Sequence, residues 1–355
     1  MRKSLWYTGL IAFLFTACET DIESNAEYQD ITVVYGLLDQ DSTAHYVKIN
    51  KAFLGEGDAN DLASNANNYS YNEGEIAVRI DAFSSAGVFV KSYNLTRTTN
   101  EIPKDNGIFD SSTNVLYRFD EPNLDADNTY RLSVYHPALE KEVTAETTIP
   151  SGTDISSVGV LNTLDFYNGS SFTSEIFVMV PRSNVGRVKA ELVFRYTDVY
   201  TTNDSTNREI RINMGEEKAT SLQGNNLEFT MNGDVFFNAI TSNVPANVPN
   251  LDYRRLSNCQ VELTLAGVDL STYMSVNAPE NTSAVSFTNV DNGLGLFSSR
   301  TVDLKKSNRL EIEDFGYDGR INLGDPTIKK ILTLGLDFCS PRSGGINPPT
   351  PICWQ

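Results

Sequence analysis

Along most of the chain the apolar residues recur at every second position, the pattern of a strand with one buried face. Val47 and Ile49 alternate with Lys48 and Asn50, and Ile76, Val78, Ile80 and Ala82 alternate with Ala77, Arg79 and Asp81. Tyr130, Leu132 and Val134 alternate with Arg131 and Ser133, while Val188, Ala190, Leu192, Phe194 and Tyr196 share another face. A strand at 209–214 follows across the polar loop 201–207, which predicts a hairpin. Helical spacing is confined to two stretches. One starts near Asp234 and carries Val235, Phe236, Ala239 and Ile240. The other has Asp325 as N-cap and Pro326 at the first helical position, then Ile328, Ile331 and Leu332 on one face and Gly335 as a stop.

Turn chemistry divides the pattern in two. The turn 124–128 leading into the strand at 129–134 resembles the corner before a late strand of an immunoglobulin-like sandwich, and 142–150 reads as the closing strand. Pro150, Ser151, Gly152 and Thr153 then form a linker-like break. The expected fold is mainly β: an N-terminal immunoglobulin-like β-sandwich over 29–150, then a second β-rich domain over 151–355 with a few short helices and a C-terminal Pro/Gly loop. A chain of 355 residues also favours two cores over one.

The first residues read as an address. Arg2 and Lys3 precede an apolar run, 5–15, about half the roughly 20 residues needed to span a bilayer. Phe15, Thr16, Ala17 and Cys18 then fit a lipobox, so residues 1–17 are expected to be a lipoprotein signal peptide and Cys18 the diacylated first residue of the mature chain. Residues 18–28, rich in Asp and Glu, read as a solvated acidic tether. Three cysteines remain. Cys259 alternates with the apolar Val261, Leu263 and Leu265, where a buried thiol is common. Cys339 and Cys353 flank a loop holding four prolines and two glycines, and a disulfide is expected between them in an oxidising compartment.

Composition narrows the chemistry. With 46 acidic against 28 basic side chains the net charge is −18, which argues against nucleic-acid binding, since Lys and Arg supply most of that affinity. A mean hydropathy of −0.28 is that of a globular chain. Both histidines, His45 and His136, share parity with apolar strand faces and read as structural rather than proton-shuttling. No Gly-x-Ser-x-Gly, His-Glu-x-x-His or Cys-x-x-Cys is present. Gly293, Gly295 and Ser298 match only part of a dinucleotide fingerprint and read as a turn between strands. Asp125, Asp127 and Asn128, and Asp58, Asn60 and Asp61, have oxygen ligands for calcium without the spacing of an EF-hand, and Asx-rich loops are usually turns. The carboxylates Glu313 and Asp314 carry no spacing signal for a glycosidase pair. No metal, no cofactor and no catalytic residue is expected. The segment 67–71, with Tyr69 and Tyr71, reads as an exposed loop. Two Asp-Ser-Thr tripeptides, at Ser42 and Ser205, resemble short O-glycosylation motifs and fall in expected turns.

Four blocks together resemble a family of Bacteroidota outer-membrane lipoproteins built on one large domain of unknown function: 31–39, 47–55, 289–300 and 344–349. Of these, the Asn-Gly-Leu-Gly-Leu-Phe run at 292–297 is the most specific. Relatives commonly have a Cys-x-x-Cys near the end, where this chain has Arg342 and a later Cys353. The acidic residues after Cys18 likewise resemble the surface-export signal of such lipoproteins. The resemblance implies a lipid-anchored protein of the outer membrane, facing the cell surface, that often accompanies TonB-dependent receptors. The function expected is therefore a non-catalytic accessory or ligand-capture module of a TonB-dependent nutrient-uptake receptor. The alternative is a structural or adhesive surface protein binding glycans or other envelope proteins.

Overall fold

The computed structural model describes residues 31–52, 63–107, 109–155, 164–219, 226–278, 286–305, 323–340 and 353. The protein is mainly β with two apolar cores. The first half contributes β1 (Thr32–Asp39), β2 (Ala44–Lys51), β3 (Ala77–Phe83), β4 (Phe89–Asn94), β5 (Thr96–Thr99), β6 (Val115–Asp120), β7 (Thr129–His136) and β8 (Lys141–Thr148). The order β1-β2-β6-β5 faces β8-β7-β3-β4. Between them lie Val47, Ile49, Ile80, Leu132 and Val134, the inward sets that the period-2 pattern predicts. Tyr130 is buried at the same interface, and its Oη donates to the Asp125 carbonyl at 3.0 Å, which locks the turn that precedes β7.

The second half adds β9 (Thr153–Ile155), β10 (Ser174–Pro181), β11 (Arg187–Tyr200), β12 (Ser205–Lys218), β13 (Leu227–Asn232), α1 (Gly233–Asn243), β14 (Leu251–Ala266) and α2 (Val268–Val276). It ends with β15 (Val290–Asp291), β16 (Gly293–Lys305), α3 (Asp325–Leu332) and β17 (Phe338–Cys339). A small sheet, β13-β10-β9, and helices α1 and α3 enclose the second core against β11, β12 and β14. Phe236 and Ile240 of α1 are buried as the helical spacing predicts, but Val235 is exposed and Phe237 takes its place in the core. Gly324, one residue before Asp325, caps α3. The helix α2 was not expected from the sequence, because its apolar residues follow no helical stripe.

One strand joins the halves. The first part of β16 pairs in parallel with β1, Gly293 opposite Thr32 and Phe297 opposite Gly36, and its second part pairs antiparallel with β14. Residues 290–297 therefore complete the first core, with Val290 and Phe297 inside it, so the break expected at 150/151 is crossed by the returning chain. The turn expected at the Gly293–Gly295 block falls instead at Asn292, whose φ is +59°, and the glycines begin a strand. They are needed there because β1 approaches closely: a Cβ on Gly293 would sit 2.8 Å from the Thr32 carbonyl oxygen. Beside this strand the Asn289 side chain acts as a strand neighbour, accepting the Phe297 N–H at 3.0 Å and donating to its carbonyl at 2.7 Å.

A buried ion pair ties the second half together. Asp198 and Arg254 are both fully buried, with Arg254 Nε 3.0 Å from Asp198 Oδ1. Arg254 also donates to the carbonyls of Leu336 at 2.7 Å and Pro245 at 2.6 Å. One side chain thus holds β11, the approach to β14 and the approach to β17. Next to it, β17 pairs with Arg254 and Arg255, and Cys339 is disulfide-bonded to Cys353. Replacing both cysteines by serine should lower stability by about 3 kcal/mol, the chain-entropy value for a closed loop of this size. Denaturant unfolding of the double variant under non-reducing conditions measures it.

Candidate functional site

The connections of the first unit are distributed unequally between its two ends. At one end lie the short turns 40–43 and 84–88 and the link 121–128. At the other lie 63–76 ahead of β3, 100–107 and 109–114 between β5 and β6, and 137–140. Long connections on a rigid sandwich are the usual place for recognition, and the one ahead of β3 includes a short 3-10 turn at Ala66–Asn68. The described parts of the two long connections also hold ordered side chains, which makes this end the candidate site.

At its base, Glu75 gathers three partners. Its Oε2 accepts the Asn72 N–H at 2.7 Å, and its Oε1 lies 3.5 Å from Lys51 Nζ and 3.8 Å from His136 Nε2. Partial burial pushes the Glu75 carboxyl up, but the Asn72 N–H and the Lys51 ammonium reverse this and hold it below its ordinary value. Tyr71 is fully buried beside them, bonded through Oη to Thr32 Oγ1 at 2.9 Å, with its ring against His136. Burial pushes the neighbouring Tyr117 phenol up to about 12.

A second cluster faces outward. Lys48 donates to Asn114 Oδ1 at 2.8 Å and to the Val115 carbonyl at 3.0 Å. Lys104 donates to the Asp110 carbonyl at 2.9 Å and lies over the rings of Tyr69 and Phe109. These contacts hold Lys104, Asp110 and Asn114 against β2 and β6. Desolvation, with help from the Lys104 charge, pushes the Lys48 amine down to about 8. Because the folded value lies below that of the unfolded chain, the unfolded state binds the extra proton between the two. The stability contributed by Lys48 therefore rises as pH climbs from about 8 towards the ordinary lysine value. After reductive ¹³C-methylation, an NMR titration should show a Lys48 resonance with a midpoint near 8, assigned by its loss in Lys48→Gln.

Several sequence expectations find their places here. The 67–71 segment is not an exposed loop: Tyr69, Ser70 and Tyr71 are buried, because an isolated bridge between Asn50 and Ser70 draws the segment onto β2 and turns both rings inward. His45 is buried, stacked on Phe119, with Nε2 donating to the Glu121 carbonyl at 2.8 Å. His136 faces Tyr71 and Glu75. Asp125 Oδ1 accepts the Asp127 N–H at 2.9 Å in an Asx turn, and among the described residues no group of three or more His, Cys, Asp or Glu could hold a metal. Cys259 lies in the second core, where burial raises its thiol. Ser42 is half-buried in the β1–β2 turn, and its neighbour Asp41 accepts the Val302 N–H at 2.6 Å. Ser205 is exposed at the start of β12. Cys18, the signal segment, the acidic tether, the 58–61 cluster and the 313–314 carboxylates lie outside the described residues.

Lys48 and Lys104 escaped the sequence reading. Lys48 sits in perfect alternation with Val47 and Ile49, which marks only an outward-facing position, and nothing local announces that a connection from fifty residues away will cover it. The sequence matches no protein-family model, and no curated protein matches it. Fold and site define a two-core β protein whose first unit is a sandwich with an elaborated loop end.

Proposed function

We propose that the chain is a lipid-anchored, non-catalytic binding module of the outer membrane, facing the cell surface and accessory to a TonB-dependent nutrient-uptake receptor. The observation that carries the binding role is the gathering of residues 63–76, 100–107 and 109–114 at one end of a rigid sandwich. Glu75, Lys51, Lys48 and Lys104 are engaged in holding the connections in place, an arrangement suited to presenting a surface. The Cys339–Cys353 bond fits an oxidising compartment, and the lipobox at Cys18 fits an envelope address.

The first unit reads as immunoglobulin-like. Its strand order corresponds to A-B-E-D against G-F-C-C′, and Tyr130 donates to a carbonyl five residues upstream in the manner of a tyrosine corner. In that frame the long-loop end is the one that carries binding loops in variable domains. Ser42 and Ser205 are the proposed O-glycan acceptors, and intact mass of the native protein, with hexose-type increments lost in Ser42→Ala/Ser205→Ala, checks them.

An affinity pull-down of the tagged protein from detergent-solubilised outer membranes tests the receptor reading. Recovery of one TonB-dependent barrel in near-stoichiometric amount is expected. Recovery of the lipoprotein alone would overturn it.

A further inference from the structure

We infer that the long-loop end is the membrane-facing end of the molecule, turned towards the bilayer that holds the proposed receptor, with Ile102, Phe109 and Leu139 seated in the lipid headgroup layer. This rests on the acyl anchor at Cys18 proposed above.

Three observations lead there. First, Thr32 pairs with Lys51, so the chain ahead of β1 joins the fold at the same end as residues 63–76, 100–107 and 109–114. The residues between Cys18 and Thr32 reach at most about 50 Å when fully extended. Second, the rest of the molecule extends the other way. The strand β16 starts level with Thr32 and reaches Asp39 at Arg300, where its pairing with β14 begins, and the β11–β12 hairpin continues outward from there to its tip at 201–204. At about 3.3 Å per residue, that tip lies on the order of 60 Å from the level of Thr32. Third, the connections at the anchored end expose large apolar side chains: Ile102 is 41% exposed, Phe109 44% and Leu139 50%.

The end also carries exposed acidic residues, Glu73, Asp105 and Glu140, so its contact with lipid is interfacial burial of apolar side chains rather than attraction to anionic headgroups. The tether makes even a weak contact effective, because it converts binding into an intramolecular step. Another apolar run, Val88, Phe89 and Val90, lies at the opposite end of the sandwich beside the 84–88 turn and serves as the comparison.

Tryptophan occurs only at Trp6, within the signal segment, and Trp354. In a Trp354→Phe background of the full lipoprotein, single probes are placed by Phe109→Trp, Phe89→Trp and Thr202→Trp. Each variant is reconstituted into phosphatidylethanolamine/phosphatidylglycerol vesicles containing brominated lipid. Quenching several-fold stronger for Phe109→Trp than for Phe89→Trp, with Thr202→Trp unquenched, is the expected result. Equal quenching at all three, or the reverse order, in protein whose intact mass shows acyl chains on Cys18, overturns the orientation while leaving the anchor standing. A mass without acyl chains removes the anchor and this inference with it. A Phe109→Trp probe that stays unquenched overturns it too, and would mean that a protein rather than lipid is the partner of this end.

Discussion

Replacing Arg254 by alanine should destabilise the protein by about 3–5 kcal/mol, the range for breaking a buried ion pair by removing one partner. The loss combines three consequences. The Asp198 carboxylate stays buried with only Arg208, 3.1 Å away and half exposed, as a counter-charge. The Leu336 and Pro245 carbonyls lose their donor. The side chain's own volume becomes a void. Arg254→Lys should recover only part of the loss, since one ammonium cannot reach three acceptors held in a planar fork. Adding Asp198→Asn to Arg254→Ala should cost less than the sum of the two single changes, because the uncompensated charge is then gone. Urea unfolding of the four variants, followed by the β signal in circular dichroism, gives these differences. An Arg254→Ala protein as stable as the parent would mean that the pair is not an organising contact.

Gly295→Ala should be nearly as damaging. Gly295 has φ of +113°, a region essentially closed to residues with a side chain, and a Cβ there would sit 1.9 Å from the Val34 carbonyl oxygen. The obstacle is backbone, so no rotamer change relieves it. Either β1 and β16 separate locally or the strand shifts and withdraws Phe297 from the first core. Strain of this kind costs about 1–3 kcal/mol, and losing the Phe297 packing adds about 3 kcal/mol more. Amide exchange along β1 and β16 would localise the effect: faster exchange at Val34 and Phe297 is expected, with the second core unchanged. The neighbouring Gly293→Ala should be milder, since its Cβ would meet the Thr32 oxygen at 2.8 Å and two side chains that can give way.

The strands of the first unit were legible because their environment is one-sided. Val47 and Ile49 against Lys48 and Asn50 report a buried and an open face directly, and so do Ile80 and Ala82 against Arg79 and Asp81. His45 and His136 could be placed by the same parity. The loop end was far less legible. Tyr69 and Tyr71 look like surface aromatics until a bridge to Asn50 pulls them under β2. Lys48 looks like an ordinary exposed lysine until Asn114 and Lys104 arrive above it. Amphipathic spacing also found α1 and α3 to within a residue or so but missed α2, which is held by a bond from Leu270 N–H to Ser298 Oγ in β16 and by one from Ser271 Oγ to the Gly186 carbonyl just ahead of β11.

By itself, the sequence determined the mainly β character, the strand faces and two short helices. All of these depend on neighbours within a few positions, where alternation, capping and turn preference act. Only the tertiary structure decided that Gly36 and Phe297, some 260 residues apart, lie opposite each other in a parallel pair. It likewise decided that Arg254 is the centre of the second half and that the chain ahead of β1 enters at the long-loop end. Parallel pairing and buried charge networks leave no periodic trace, because each partner satisfies its local rules equally well wherever the other one lies.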